Sequence, residues 1–369
     1  MGFEKFRVTD REFGPKTALI IAELGTSHGC DPVKAAELIA AAAEAGADCV
    51  KSQVVYADEI LHPNTGEVAL PGGNIRLYDR FKQLETDISF FARMKEETEK
   101  RGLLFLCTPF GIKSARELRK LGPEFIKIAS PELNFSSLLK EVASYKLPAL
   151  LSTGVSKLAD IEEAVSLLGG EAQICLLHCV TCYPAPERDY NLRVLQSLRS
   201  VFGLPVGVSD HSTDPELVPV LSIAMGGGVI EKHFCLSRDD PGLDDPIALP
   251  PAAFARMVKA VRRASRMEAA AVLEELSRQR GRELVEAVLG DGVKRLAPSE
   301  RANYERTNRS IHALRDIKEG ETIKKGMIAS LRTEKILRPG LPPSWEEAII
   351  GRKAACFIPA GEGIRLEDI

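Results

Sequence analysis

Two lysines, Lys51 and Lys127, sit at the ends of short apolar runs, and hydroxyl side chains at Thr108, Ser130, Ser152 and Ser209 occupy the same kind of place. Ammonium groups bring positive charge and hydroxyls donate hydrogen bonds, so this set suits an anion. The backbone N–H groups of Ser152-Thr-Gly154 suit a phosphate. A buried lysine without an anion is costly, which favours a bound ligand. His211 and His233 close two consecutive runs. With a carboxylate such as Glu23 or Asp244 they make a divalent metal site with open positions, or an acid–base pair. Gln53, Glu132, Thr181, Tyr183, Glu231 and Lys232 are further polar groups at or just past the runs. A single polar strand end is as well explained by solvent; the same ending on every run is not. Cys175, Cys179 and Cys182 have the spacing of an iron–sulfur ligand set. The first two, however, lie four residues apart on one face of one run, too far to share a cluster.

The elements that must position these groups repeat in order. Apolar runs at 18–24, 49–53, 103–108, 125–128, 149–151, 174–181, 205–209 and 229–233 are short and continuous, as in strands buried on both faces. Amphipathic helical segments follow at 31–46, 87–101, 113–121, 137–145, 157–168, 190–201, 215–225 and 251–266. Eight strands alternating with eight helices in this span predict a closed parallel (β/α)8 TIM barrel, with its chemistry at the C-terminal strand ends. An open doubly wound sheet is the alternative, but no Gly-rich dinucleotide turn follows the first strand. The long connection 56–85, with Leu70-Pro-Gly-Gly73, reads as a loop over one barrel mouth.

We divide the chain into a barrel at 1–270, a linker at 271–305 and a small β domain at 306–369. The last part carries a weak repeat. Ala313, Ile317, Gly320, Glu321, Ile323 and Ile328 recur 41 residues later as Ala354, Ile358, Gly361, Glu362, Ile364 and Ile369. A domain this small is expected to dock on something. Across all 369 residues, 44% are hydrophobic and 27% charged, and the net charge is -3. Those values exclude a disordered chain and give no sign of a nucleic-acid or membrane surface. No run reaches the ~18 apolar residues of a membrane span. Eight scattered cysteines and no signal-peptide core predict reduced thiols and a cytoplasmic location.

Taken together, these strand ends resemble the sialic acid synthase family, including legionaminate and pseudaminate synthases and spore-coat polysaccharide relatives. The segments that carry the resemblance are Ile20-Ile-Ala-Glu-Leu-Gly25, Ala45-Gly-Ala-Asp-Cys-Val-Lys-Ser-Gln53, Cys107-Thr-Pro-Phe110, Ile126-Lys-Ile-Ala-Ser-Pro-Glu132, Leu151-Ser-Thr-Gly154, Leu177-His-Cys-Val-Thr-Cys-Tyr-Pro184, Gly207-Val-Ser-Asp-His-Ser212 and Ile230-Glu-Lys-His-Phe234. The segment from Asn308-Arg-Ser-Ile onward resembles the family's antifreeze-like β-clip (SAF) domain.

The resemblance implies an enzyme that condenses phosphoenolpyruvate with an N-acylated mannose-type sugar to give a nonulosonic acid. It implies that Lys51, Thr108, Lys127, Ser130, Ser152 and Ser209 hold phosphoenolpyruvate. His211 and His233 would bind Mn2+ or Mg2+, and Glu23 would serve the cationic carbon or its water. Gln53, Glu132, Thr181, Tyr183 and Asp244 would contact the sugar. Arg309 would reach over the acceptor's N-acyl group from the partner subunit of a domain-swapped homodimer. Thr181 stands where the standard sialic acid enzymes carry Asn, and Pro241-Gly-Leu-Asp244 where they usually carry Pro-Gly-Pro-Asp. Asn74 aligns only loosely as a sugar contact. Alternatives are a Schiff-base aldolase using Lys127, a synthase for seven- or eight-carbon sugar acids, and a non-catalytic sugar-binding protein.

Overall fold

The computed structural model describes residues 5–70, 73–170 and 172–369, so Pro71 and Gly72 of the expected mouth loop lie outside the described residues. The barrel strands are β1 (Leu19–Gly25), β2 (Cys49–Val54), β3 (Leu104–Pro109), β4 (Ile126–Ile128), β5 (Ala149–Ser152), β6 (Ile174–Cys179), β7 (Val206–Asp210) and β8 (Val229–His233). The helices that follow them are α1 (Pro32–Glu44), α2 (Ile88–Glu99), α3 (Ile112–Lys120), α4 (Ser136–Ala143), α5 (Leu158–Leu168), α6 (Val194–Phe202), α7 (Leu217–Ala224) and α8 (Pro251–Ala264). The hydrogen-bonded order is β3-β2-β1-β8-β7-β6-β5-β4, and every pair is parallel. β3 and β4 lie side by side, which nearly closes the ring as a TIM barrel.

Strand alternation explains where the polar groups end up. Leu19, Ile21, Cys49, Leu104, Leu106, Leu150, Cys175, Leu177 and Val229 form one buried cluster with Phe6, Val8 and Phe13. Those last three belong to an antiparallel hairpin, Phe6–Val8 with Arg11–Phe13, that plugs the N-terminal end. Two or four residues further along the same faces stand Glu23, Lys51, Thr108, Ser152, Cys179, Glu231 and His233. The inward face therefore changes from apolar to polar at the C-terminal mouth. Gly207 on β7 makes this packing possible, because a Cβ there would fall 2.3 Å from the Val229 carbonyl oxygen and 3.0 Å from Leu177 Cδ2.

The charged, helix-prone residues that begin the linker form two helices, α9 (Ala269–Arg280) and α10 (Arg282–Leu289). Val272, Leu276, Val285, Val288 and Leu289 pack them onto the barrel core. The extended linker is shorter than expected and bound along its length. Asn191 Oδ1 accepts the Gly292 N–H, Lys294 Nζ donates to the Thr153 carbonyl, and Asn303 Nδ2 donates to the Thr181 carbonyl. Asn308 Nδ2 donates to the Val155 carbonyl.

The small domain contains an antiparallel pair, β9 (Arg309–Ala313) and β10 (Ile328–Arg332). Its sequence repeat is a structural two-fold. Ile317 and Ile358 exchange N–H···O bonds of 2.9 Å, and the bond from Gly320 N to Ala354 O is mirrored by that from Gly361 N to Ala313 O, both 2.8 Å. Ala313, Ile317, Ile323, Ile328, Ala354, Ile358 and Ile364 share one core. All eight cysteines are free thiols. No helix among the described residues is long and apolar enough to cross a membrane.

Candidate active site at the C-terminal barrel mouth

At the centre of the mouth two lysines share one carboxylate. Lys51 Nζ lies 2.8 Å from Glu23 Oε2 and 3.6 Å from Glu231 Oε1, and donates to Thr108 Oγ1 at 3.3 Å. Lys127 Nζ donates to Ser152 Oγ at 2.7 Å and lies 3.5 Å from the same Glu231 oxygen. Ser209 Oγ donates to Glu231 Oε1 at 2.8 Å, and Gln53 Nε2 donates to Glu23 Oε1 at 2.6 Å. Burial alone would raise the Glu231 carboxyl, but Lys127 and Lys51 hold it down at about 2. Burial, with Lys51 nearby, holds the Lys127 ammonium below the ordinary lysine range. Glu231, noted at a strand end but given no role, lies between the two lysines; it shares the inward face with His233, and that alternation was legible.

The β5 and β6 exits place hydroxyls against a glycine turn. Ser130 Oγ accepts the Gly154 N–H at 3.0 Å. A Cβ at Gly154 would fall 2.3 Å from Thr181 Oγ1 and 2.9 Å from Ser130 Oγ, so only glycine lets these hydroxyls converge. Thr181 Oγ1 is buried without a hydrogen-bond partner, as is Glu231 Oε2. Buried polar atoms of this kind are costly unless something arrives to bond them.

His211 and His233 meet as the strand order implies, with ring centroids 5.5 Å apart. The Tyr183 ring stacks on His211 at 4.2 Å, with its hydroxyl 3.2 Å from His211 Nε2. His211 Nδ1 bonds the Val180 carbonyl at 2.9 Å, and the His211 N–H donates to the Tyr190 hydroxyl at 2.7 Å. His233 Nδ1 lies 3.8 Å from Asp244 Oδ2, and burial lowers the His233 imidazole to about 3, leaving it neutral. Among the described residues no group of three or more His, Cys, Asp or Glu is arranged around one metal position. The two imidazoles still fit two ligands of a divalent ion, with the remaining positions left to water or substrate.

Two expected sugar contacts bind each other in the free chain. Glu132 is wholly buried, and its Oε1 accepts from Arg309 Nη2 at 2.8 Å and from Arg332 Nη2 at 2.7 Å. The rest of the Arg309 guanidinium donates to the carbonyls of Glu59, Ile60, Phe110 and Ser330. Every edge of Arg309 is already bonded, so it has no donor left for an acceptor. In this single chain it reaches its own barrel, to which the linker is bonded up to Asn308. Lys232 serves the strand ends, donating to Asp210 Oδ2 at 2.5 Å and to the Ser212 carbonyl at 2.6 Å.

A cavity of about 410 Å3 opens above these groups, and Gln53, Thr181, Tyr183, His233, Asp244 and Arg332 reach it. Val55, Leu77, Phe81 and Phe110 give it an apolar side. The segment after β2 therefore covers the mouth as expected, while Asn74 is exposed and not among the lining residues. Arg332, Lys335 and Asn303 complete the wall. Their approach depends on how the small domain docks, which no local sequence pattern expresses.

The profile of the NeuB family matches residues 38–272, and that of the SAF domain matches residues 308–369. The chain is 32% identical to the N,N'-diacetyllegionaminic acid synthase of Campylobacter jejuni over 86% of its own length and 91% of that protein. It is 30% identical to the pseudaminic acid synthase of the same species, covering 96% of this chain and 97% of that one. Among solved structures, the spore coat polysaccharide biosynthesis protein spsE of Bacillus subtilis superposes with a TM-score of 0.81 at 31% identity, covering 99% of both chains. The chain thus matches these relatives along nearly its whole length, and it is an enzyme that belongs to the NeuB family.

Proposed function

We propose that this enzyme joins phosphoenolpyruvate to the open-chain aldehyde of an N-acylated mannose-type sugar, forming a nonulosonic acid and releasing phosphate. The observation that carries the reading is the Lys51–Glu231–Lys127 bridge lying beneath two neighbouring histidines and the unpartnered Thr181 hydroxyl. The names of the relatives, synthases of legionaminic and pseudaminic acids, support it.

In this reading Lys51, Lys127, Thr108, Ser130, Ser152 and Ser209 bind the phosphate and carboxylate of phosphoenolpyruvate. His211 and His233 hold Mn2+ or Mg2+, which when bound would polarise the sugar aldehyde. Gln53, Thr181, Tyr183 and Asp244 orient the acceptor, and the apolar side of the cavity takes its acyl or deoxy substituents. The enol carbon forms the new C–C bond, leaving positive charge at the phosphate-bearing carbon. Glu23, fixed by Gln53 and Lys51, stabilises that charge or aligns the water that adds there. The C–O bond to phosphate then breaks, and the lysines compensate the leaving anion. The location we propose is the cytoplasm, and the assembly a homodimer, which sedimentation of the purified protein tests.

A lowered Lys127 also suits Schiff-base chemistry. That second reading predicts borohydride trapping with pyruvate. The deciding experiment is phosphate release from phosphoenolpyruvate with Mn2+ across a panel of N-acylated hexoses. The synthase releases phosphate only when an acceptor is present; an aldolase consumes pyruvate and releases none.

A further inference from the structure

Behind the strand ends, outside the barrel, lies a second cavity of about 370 Å3 between β6, α6 and the linker. Its wall includes His178, Tyr190, Lys294, Glu300, Arg301 and Arg188. His178 is the outward neighbour of Cys179 on β6 and only 5% exposed. Its Nε2 faces the Tyr190 carbonyl, so that nitrogen carries the hydrogen; Nδ1 is then an acceptor, and it is buried with no partner. Lys294 has one hydrogen bond, to the Thr153 carbonyl at 2.8 Å. The carboxylates of the wall are already engaged. Glu300 accepts the N–H groups of Val155, Thr181 and Ala297, Asp291 binds Arg295, and Asp189 accepts the Ser299 N–H. The cations are much less so: Arg188 lies 3.8 Å from an exposed Glu283, and Arg301 has no hydrogen-bond or ion-pair partner among the described residues.

We propose that this cavity is a binding site for a small hydroxylated anion, a hydroxycarboxylate, distinct from the catalytic mouth. Its carboxylate pairs with Lys294, with Arg301 at the rim, and its hydroxyl donates to His178 Nδ1. The site is wired to the mouth by four hydrogen bonds. Lys294 holds the Thr153 carbonyl, Glu300 holds the Val155 and Thr181 N–H groups, and the Tyr190 hydroxyl accepts the His211 N–H. Occupancy therefore changes the affinity of the mouth for phosphoenolpyruvate, and the reverse by the same factor.

Calorimetric titration of the full-length protein tests this with L-malate and N-acetylneuraminate as probes, so that a general hydroxy acid and a sugar acid are distinguished. Acetate, lacking the hydroxyl, and glycerol, lacking the charge, are the controls. The expected result is one site for at least one probe, tighter than for either control. Affinity should fall about tenfold or more in Lys294→Met and severalfold in Arg301→Glu, an exposed position where folding is not at risk. Lys127→Met, in the catalytic mouth, should bind the probe as the parent does. Absence of binding by both hydroxy acids overturns the proposal, as does binding unchanged in Lys294→Met and Arg301→Glu. Binding lost in Lys127→Met assigns the heat to the mouth and overturns it too.

Discussion

The Glu231 carboxylate lies 3.5 Å from the Lys127 ammonium, and the same oxygen lies 3.6 Å from that of Lys51. In the absence of substrate one buried carboxylate therefore serves both lysines, being the ion-pair partner of Lys127 and, beside Glu23 at 2.8 Å, the second partner of Lys51. Glu231→Gln removes the charge and keeps the shape. We expect it to lower unfolding free energy by about 3 kcal/mol, because both lysines stay buried. The loss should shrink when phosphoenolpyruvate is added, since its anionic groups replace the missing carboxylate. Denaturant titration with and without phosphoenolpyruvate reads this, and an equal loss in both conditions contradicts it.

The Thr181 hydroxyl is expected to belong to the acceptor. Thr181→Val should leave stability unchanged or raise it by up to about 1 kcal/mol, because the hydroxyl is unpartnered in the free protein. The acceptor KM should rise about tenfold, with the KM for phosphoenolpyruvate unchanged. A thermal melt and two-substrate kinetics measure both, and a KM change confined to phosphoenolpyruvate would reassign the residue.

Arg309 and Arg332 should separate cleanly, although both bind Glu132. Arg309→Ala breaks a wholly buried pair and should cost about 3–5 kcal/mol. Arg332→Ala leaves the Arg309–Glu132 pair in place, so the fold should hold while the acceptor KM rises. Unfolding curves and kinetics on the two variants give the comparison; equal destabilisation would contradict the division of labour.

Acid should weaken the fold through buried neutral histidines. Burial lowers His28 to about 4, against an ordinary value of 6.5. The unfolded state then binds the proton more readily, so this contribution is present in full above pH 6.5 and is lost as pH falls toward 4. His28 lies between Phe90 and Phe91, with ring centroids at 4.8 and 6.4 Å, so His28→Phe keeps an aromatic ring there. Its Tm should fall less than that of the parent between pH 6.5 and 4.5. Equal slopes would refute the assignment.

The barrel was legible because its strands are buried on both faces and most of its helices carry an apolar stripe. Fourteen site residues were named at or just past strand ends and Arg309 from the family resemblance, and the structure brings all but Glu132 and Arg309 to the mouth or its lining. What engages those two is not local in sequence. Whether an arginine is free or fully bonded depends on carbonyls from residues 59, 60 and 110, far away in sequence. Glu231 was visible by alternation, yet only the distances show it serving two lysines. Arg332, Lys335 and the cavity beside His178 arise where the linker and small domain dock, and no local periodicity reports that. The repeat was the opposite case: a weak pattern 41 residues apart in sequence became a hydrogen-bonded two-fold.

The central claim is that the enzyme breaks the C–O bond of phosphoenolpyruvate after water adds to carbon. Phosphoenolpyruvate labelled with heavy oxygen at the bridging position, turned over with an accepted N-acylated sugar, tests it directly. Mass spectrometry of the products should find the label in inorganic phosphate. Label retained in the sugar acid would mean attack at phosphorus, and would contradict the account.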